Sequence, residues 1–268
     1  DQYKTSVQKK VEKVLGEAEK EKGRMRPEAA EFRELLDRES ESLRNFFGYD
    51  IEVPSLPEEV TAERYEKWKE MGFELHDLPA EGMKKDRELP GWKKKPGDWF
   101  YGKMKDKEVD ADSATLPAAW ILTDTREKPN YQDGKQMYKD DLLAETLEDL
   151  RKKKVITAFE VKGSRFKISW DELHKPEVKK AIAEVLDVPE EYLRLPRAIE
   201  WNYLGNAHHP AWGDTDTWEW FEDSYQKGSR RLDGGSSGGG GLSLVLWHDP
   251  VGRYDSLRFR PQVVFSQP

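Results

Sequence analysis

The chain has 268 residues, of which 36% are hydrophobic and 37% are charged, and its formal net charge is -8. That length can bury the core of one large domain or two modest ones, and the ten tryptophans, ten tyrosines and ten phenylalanines argue against disorder despite a mean hydropathy of -0.93. The acidic balance argues against a nucleic-acid partner, and the absence of cysteine excludes disulfides and thiolate chemistry.

The sequence has no apolar stretch long enough to span a bilayer. Its first residues also lack the basic and then apolar pattern of a signal peptide. Two locations are therefore expected as alternatives: the cytoplasm, or export without a recognisable signal.

The first part of the chain has helical patterning. Residues 5–47 are rich in Lys and Glu with apolar residues at helical spacing, which predicts a pair of helices, the second beginning near Pro27. Another helix is predicted over residues 62–71, where Tyr65 and Trp68 share one face. These apolar faces indicate core contacts, and the alternative is a groove for a partner helix.

Between residues 78 and 110, Pro, Gly and Lys surround several aromatic residues, which predicts an irregular connection. We place a domain boundary at its end. Residues 1–110 are then a helical N-terminal region, and residues 111–268 form the second domain.

The second domain mixes strand and helix patterns. A buried strand is predicted over residues 118–123, and helices over 140–152 and 176–186. Residues 155–161 and 165–170 have the pattern of a hairpin. These elements together predict the α+β class.

Five short motifs follow in order between Ile168 and Pro261. The motif residues are Ile168, Ser169, Trp170 and Asp171; Arg194, Leu195, Pro196, Ala198, Glu200, Trp201 and Tyr203; Trp218, Glu219, Trp220 and Asp223; Arg231, Gly234, Gly235 and Ser236; and Phe259 and Arg260. Their collinear order resembles the signature of domains related to the formylglycine-generating enzyme. The resemblance implies a C-type-lectin-like fold of that subtype for the second domain.

Oxidases of this family use active-site cysteines, which this chain lacks, so that activity is not carried over. The expectation is a protein without enzymatic activity, metal or cofactor. One alternative is a metal-dependent enzyme that uses His208, His209 and neighbouring acids. Their spacing favours ordinary loop histidines.

A second alternative is a calcium-dependent lectin, although the spacing of the acids favours a solvated face with Glu219 paired internally. These acids are Asp214, Asp216, Glu219, Glu222 and Asp223.

The composition changes sharply near the end of the chain. The last glutamate is Glu222 and the last lysine is Lys227. Residues 233–256 contain only Gly, Ser, Leu, Val, His, Asp, Tyr, Arg and Pro apart from Trp247. A flexible glycine-rich linker is one interpretation, but the strand pattern over residues 242–247 favours an ordered loop system.

This restricted segment is similar to the variable region of proteins made by diversity-generating retroelements, including those of archaea. Their adenine-directed mutagenesis cannot produce Lys or Glu. The resemblance implies a binding protein with an unidentified protein or other macromolecular ligand, in which Trp247 and residues 258–261 are scaffold and Tyr254 is the anchor. The expected contact residues are Ser236, Ser237, Leu246, His248, Asp249, Val251, Gly252, Tyr254, Asp255 and Ser256.

Overall fold

The computed structural model describes residues 28–265, with side chains described from Phe32 onwards. The first helix predicted in the N-terminal region lies outside the described residues. The α+β class is confirmed. The α-helices of the described part are α1 (Glu28–Phe47), α2 (Ala62–Glu70), α3 (Asp98–Lys105), α4 (Ala144–Lys152), α5 (Trp170–Leu173), α6 (Pro176–Leu186) and α7 (Ala198–Ala207). The strands are β1 (Phe73–Leu78), β2 (Ala119–Asp124), β3 (Leu193–Arg194), β4 (Trp218–Tyr225), β5 (Arg230–Gly234), β6 (Val245–His248), β7 (Leu257–Arg258) and β8 (Gln262–Phe265).

The first sheet is antiparallel and has the strand order β1-β2-β8-β3. Strand β8 lies between β2 and β3, so that Val263 is paired with both Leu122 and Leu193. Every residue of β2 is buried. Strand β1 precedes the predicted boundary near residue 110, yet it pairs with β2 along its whole length, so the two regions share one sheet.

The second sheet has the order β6-β5-β4-β7, and only the β4–β7 pair is parallel. Successive side chains of a strand point to opposite faces of its sheet. Trp220 of β4 therefore packs in one hydrophobic cluster of the core, whereas Phe221 packs in the other with Leu232 and Val245. This sheet thus separates the two clusters.

Helix α1 contributes to both clusters, through Leu35 to the first and through Leu43 to the second. The first cluster also contains Trp120 and α6, while the second surrounds Trp201 of α7. The α1 helix is consequently part of the same packed body as the motif-bearing elements.

The hairpin predicted over residues 155–170 is wrong. Its backbone groups are bound by side chains instead of a strand ladder: Glu172 accepts the N–H of Thr157 at 2.8 Å, and Arg151 donates to the carbonyls of Ser164 and Phe166 at 2.9 and 3.0 Å. The segment ends at Ser169, which forms a capping box with Glu172 and begins α5.

The irregular connection predicted between residues 78 and 110 contains a helix, α3, whose Phe100 is fully buried. The helix predicted over residues 140–152 begins only at Ala144. The predictions over 176–186 and 62–71 are confirmed to within one residue. Among residues 28–265, no helix combines the length and the apolar character that crossing a membrane requires.

Candidate ligand-binding surface

The segment that leads into β6 is held by glycines and one buried leucine. The strand predicted over residues 242–247 begins only at Val245, because two short 3-10 helices, Ser237–Gly239 and Gly241–Ser243, precede it. Leu242 is buried, and a Cβ added at Gly241 would lie 2.5 Å from the carbonyl oxygen of Gly213. The end of the glycine-rich stretch, at Gly241 and Leu242, is therefore packed against the second cluster, whereas residues 237–240 are exposed.

Among the predicted contact residues, the ring of His248 packs near three other aromatic rings. Its centroid lies 4.5 Å from that of Tyr254, 5.9 Å from that of Trp218 and 6.3 Å from that of Trp220. Its Nδ1 lies 2.6 Å from Oδ2 of Asp233, which is fully buried. Burial raises the pKa of Asp233, whereas the hydrogen bond with His248 lowers it.

A tight turn follows the strand. The N–H of Gly252 donates to the carbonyl of Asp249 at 2.9 Å, and the N–H of Val251 donates to the Asp249 carboxylate at 3.2 Å. Val251 at the tip is 56% exposed. A Cβ at Gly252 would lie 2.4 Å from the Tyr254 ring, so a residue with a side chain here would displace that ring.

Two residues that were not predicted as contacts, Tyr131 and Asp216, connect Asp255 with Ser236. The Tyr131 hydroxyl donates to Asp255 Oδ2 at 3.2 Å, and the Tyr131 N–H donates to Asp216 Oδ1 at 2.6 Å. The carbonyl of Asp216 in turn accepts the Ser236 hydroxyl at 2.9 Å. No periodic pattern in the sequence pointed to Tyr131, because it lies in an irregular loop.

Nine of the ten predicted residues reach the surface. Ser236 is buried, and its hydroxyl is engaged inside the protein. Ser237 and Val251 are exposed, and the partly buried residues are Leu246, His248, Asp249, Gly252, Tyr254, Asp255 and Ser256. We call these nine residues the candidate surface.

Beneath the candidate surface, the packing is tight. Gly235 has a φ of +88°, and a Cβ there would lie 2.8 Å from the Trp201 ring. The carbonyls of Gly235 and Trp212 both accept a hydrogen bond from the Lys128 Nζ, at 2.9 and 2.8 Å. Burial lowers the pKa of Lys128 to about 7. Trp201 and Lys128 thus hold the backbone at Gly235 in place.

A buried ion cluster holds the strands behind the candidate surface. Glu219 accepts hydrogen bonds from Arg258 and, at 2.6 Å, from Arg260 Nε, and all three side chains are fully buried. Burial alone would raise the pKa of Glu219, but the charges of the two arginines lower it to about 2. The prediction that Glu219 is paired internally is confirmed.

The other acids do not form the single solvated face that was predicted. Asp214 and Asp216 are exposed, whereas Asp223 is buried. Glu222 lies 3.1 Å from Nε2 of His174. Internal pairing thus separates these carboxylates.

The adjacent histidines after α7 lie beside a third histidine, His76 of β1, with ring centroids at 4.1 Å for His208 and 5.8 Å for His209. Burial lowers the pKa of His208 and His209 to about 3, so both imidazoles are neutral at pH 7. Because more than 130 residues separate them from His76, spacing in the sequence could not have revealed this cluster.

Replacing His248 with valine is expected to leave the buried Asp233 carboxylate without its partner. The free energy of unfolding should fall by about 1–3 kcal/mol at pH 8. The loss should be smaller at pH 5, because removing His248 raises the pKa of Asp233 further, so that as the pH falls the folded variant takes up a proton that the unfolded chain does not hold as tightly. Chemical denaturation at both pH values measures the effect.

The matched control is His248→Asn, whose amide can still donate to Asp233. This variant should retain most of the lost stability. Equal losses for the two variants, or a loss for the valine variant that is the same at pH 5 and pH 8, would contradict this account.

Comparison with known proteins gives no identification: no family model, no curated protein and no solved structure matches this chain. The functional assignment therefore depends on the geometry of the candidate surface.

Proposed function

We propose that this chain is a non-enzymatic ligand-binding protein, the product of a diversity-generating retroelement, which displays a diversified surface on a C-type-lectin-like scaffold. The observation that carries the proposal is the division between surface and frame. Nine of the ten predicted contact residues are at least partly exposed, while the motif residues Glu200, Glu219 and Arg260 are fully buried and paired.

The frame is consistent with the proposed scaffold. The motif glutamate Glu200 is fully buried and accepts hydrogen bonds from Arg194 at 2.6 and 2.8 Å. It also accepts the Gln262 amide of β8 at 2.8 Å. The motif helix α7 is thereby bound to β8, an inner strand of the first sheet, while the candidate surface lies on β6 and the loops on either side of it.

The side chains of the candidate surface suit recognition of a macromolecule. Tyr254 and His248 offer aromatic area at a low cost in conformational entropy, and Asp249 and Ser237 offer adaptable hydrogen bonding. Interfaces gain most of their affinity from a few partly buried aromatic anchors. We infer that Tyr254, with its ring against His248, is the anchor, and that the turn beside it supplies specificity.

A substitution library tests the proposed tolerance. We expect that varying Ser237, Asp249, Val251 and Asp255 among Asn, Asp, Ser, Tyr, His and Gly leaves most members folded, with changes within about 0.5 kcal/mol at the two exposed positions, Ser237 and Val251. Thermal unfolding of individual members measures this, and selection of displayed members against a panel of proteins measures new binding.

The matched control library varies frame residues, namely Arg194, Glu200 and Arg258. Most of its members should fail to fold, because each change leaves a buried charge unpaired. Surface and frame libraries that are equally damaging would contradict a surface built for variation.

The origin of the variation has its own test, which is the sequence of this gene in related cells. Under the proposal, differences concentrate at adenine-templated codons for residues 233–256. A reverse transcriptase gene and a near-copy of that coding segment should lie beside the gene. Substitutions spread evenly along the gene, with Lys and Glu inside the segment, would overturn the proposed origin and leave the binding role to be judged by the library.

A further inference from the structure

Away from the candidate surface, three side chains converge at the junction of β1 and the segment after α7. Oε2 of Glu74 lies 3.3 Å from Nε2 of His76 and 3.7 Å from Nε2 of His209. These three atoms all lie within 4.8 Å of one another. Ligands of a tetrahedral ion with bonds of about 2.0–2.1 Å are separated by about 3.3–3.4 Å. The two distances from Glu74 are thus already close to those within a tetrahedral ligand set.

The hydrogen bonding leaves these nitrogens available to an ion. Within the described part of the chain, neither Nε2 of His76 nor Nε2 of His209 makes a well-aligned hydrogen bond, and the polar atom that faces both nitrogens is Oε2 of Glu74. An unpaired buried polar atom is costly, which is a reason to look for a missing ligand. The ring of His209 is held in place by stacking on Trp212, at 4.5 Å between centroids and 15° between planes.

The other nitrogen of His76 is oriented by a carboxylate. Its Nδ1 lies 3.3 Å from Oε1 of Glu39, whose Oε2 accepts the backbone N–H of Asp77 at 3.0 Å. Both side chains are fully buried. A carboxylate that fixes the far nitrogen of an imidazole is the usual support of a histidine that ligates a metal.

A second set of possible ligands, Glu39, His76 and His208, lies nearby. It is the weaker candidate because its groups are already used. Nε2 of His208 lies 3.2 Å from the Ser42 hydroxyl, and both oxygens of Glu39 are hydrogen-bonded.

We propose that Glu74, His76 and His209 bind one divalent transition-metal ion of the zinc class, with Glu39 as the residue that positions His76. Two imidazoles and one carboxylate suit this class of ion better than calcium or magnesium, which prefer oxygen ligands. The Glu74 side chain is 39% exposed, which gives the ion a route from solvent and leaves a fourth position for water. The ion ties β1 to the segment after α7, and to α1 through Glu39. The site is independent of the proposed binding role.

The full chain is first treated with chelator and then titrated with Zn²⁺ by calorimetry and with Co²⁺ by absorption spectroscopy. The expected result is one ion per chain, the visible bands of a tetrahedral Co²⁺ centre, and a midpoint of thermal unfolding that rises with Zn²⁺ concentration. Absence of Zn²⁺ binding to the folded chain would overturn the proposal.

The His209→Asn variant should weaken Zn²⁺ binding at least about 100-fold, and Glu39→Gln about 10–100-fold. His208→Asn, at the adjacent position, is the matched control and should change the affinity less than about threefold. If His209→Asn does not fold, Glu74→Gln serves instead, because its side chain is partly exposed. Equal loss in the His208 and His209 variants, or none in either, would overturn the proposed ligand set.

Discussion

Replacing Glu219 with glutamine is expected to lower the free energy of unfolding by about 3–5 kcal/mol at pH 7, because removing one member of a buried ion cluster leaves the others uncompensated. Here the charges left behind are those of Arg258 and Arg260, both fully buried. Glutamine has nearly the same shape, so the loss reports the charge and not a cavity. Urea denaturation at pH 7 measures it.

The effect has a defined dependence on pH. The pKa of Glu219 is lowered to about 2 in the folded state, so its contribution is present above about pH 4.5 and is lost as the pH falls towards 2. The wild-type chain and the Glu219→Gln variant should therefore converge in stability at low pH. Asp214→Asn, an exposed acid in the same region, is the matched control and should change the stability by less than about 0.5 kcal/mol. A comparable loss in both variants would show that the buried cluster is not the cause.

Replacing Trp201 with alanine is expected to cost about 3–5 kcal/mol, as is usual when a fully buried large aromatic residue is truncated. Its ring packs on Trp212 and Phe221, with centroids at 6.1 and 5.5 Å, and closes the space beneath Gly235. The change therefore removes core contacts and also the ring that packs against Gly235, just before the candidate surface begins. Thermal and urea unfolding both report the loss.

Trp247 provides the control for this prediction. It is 41% exposed and lies against Tyr225 and Arg230, so Trp247→Ala should cost less than about 1 kcal/mol. A loss of several kcal/mol would mean that this tryptophan is a structural residue of the frame, as the sequence interpretation had it. A small loss combined with changed binding would add Trp247 to the contact residues.

Short motifs and strong periodicity predicted the parts of the fold that depend on local sequence. The helical pattern of residues 176–186 predicted α6. Residues 155–161 also have apolar patterning but form no strand, and the side chains of Arg151 and Glu172 bind the backbone carbonyl and N–H of Thr157. Contacts of this kind depend on the tertiary structure and have no local pattern.

The same distinction applies to the sites. The composition change after Lys227 indicated the candidate surface, but it could not show that Ser236 is buried or that Tyr131 reaches Asp255. His208 and His209 were visible as a pair. Their convergence with His76 is set by the packing of β1 beside the end of α7, which spacing along the chain does not encode.

Strand β8 follows the candidate surface in the chain and occupies the middle of the first sheet. A ribosome must therefore read through every codon of residues 233–256 before it adds the strand that joins β2 to β3. Any stop codon or shift of reading frame in that stretch yields a product without Arg258, Arg260 and β8, and hence with Glu219 unpaired and two strands open. Such a product would expose apolar sheet surface and be open to proteolysis. The core of this fold can therefore be completed only when the reading frame is intact throughout the segment that we propose to be varied.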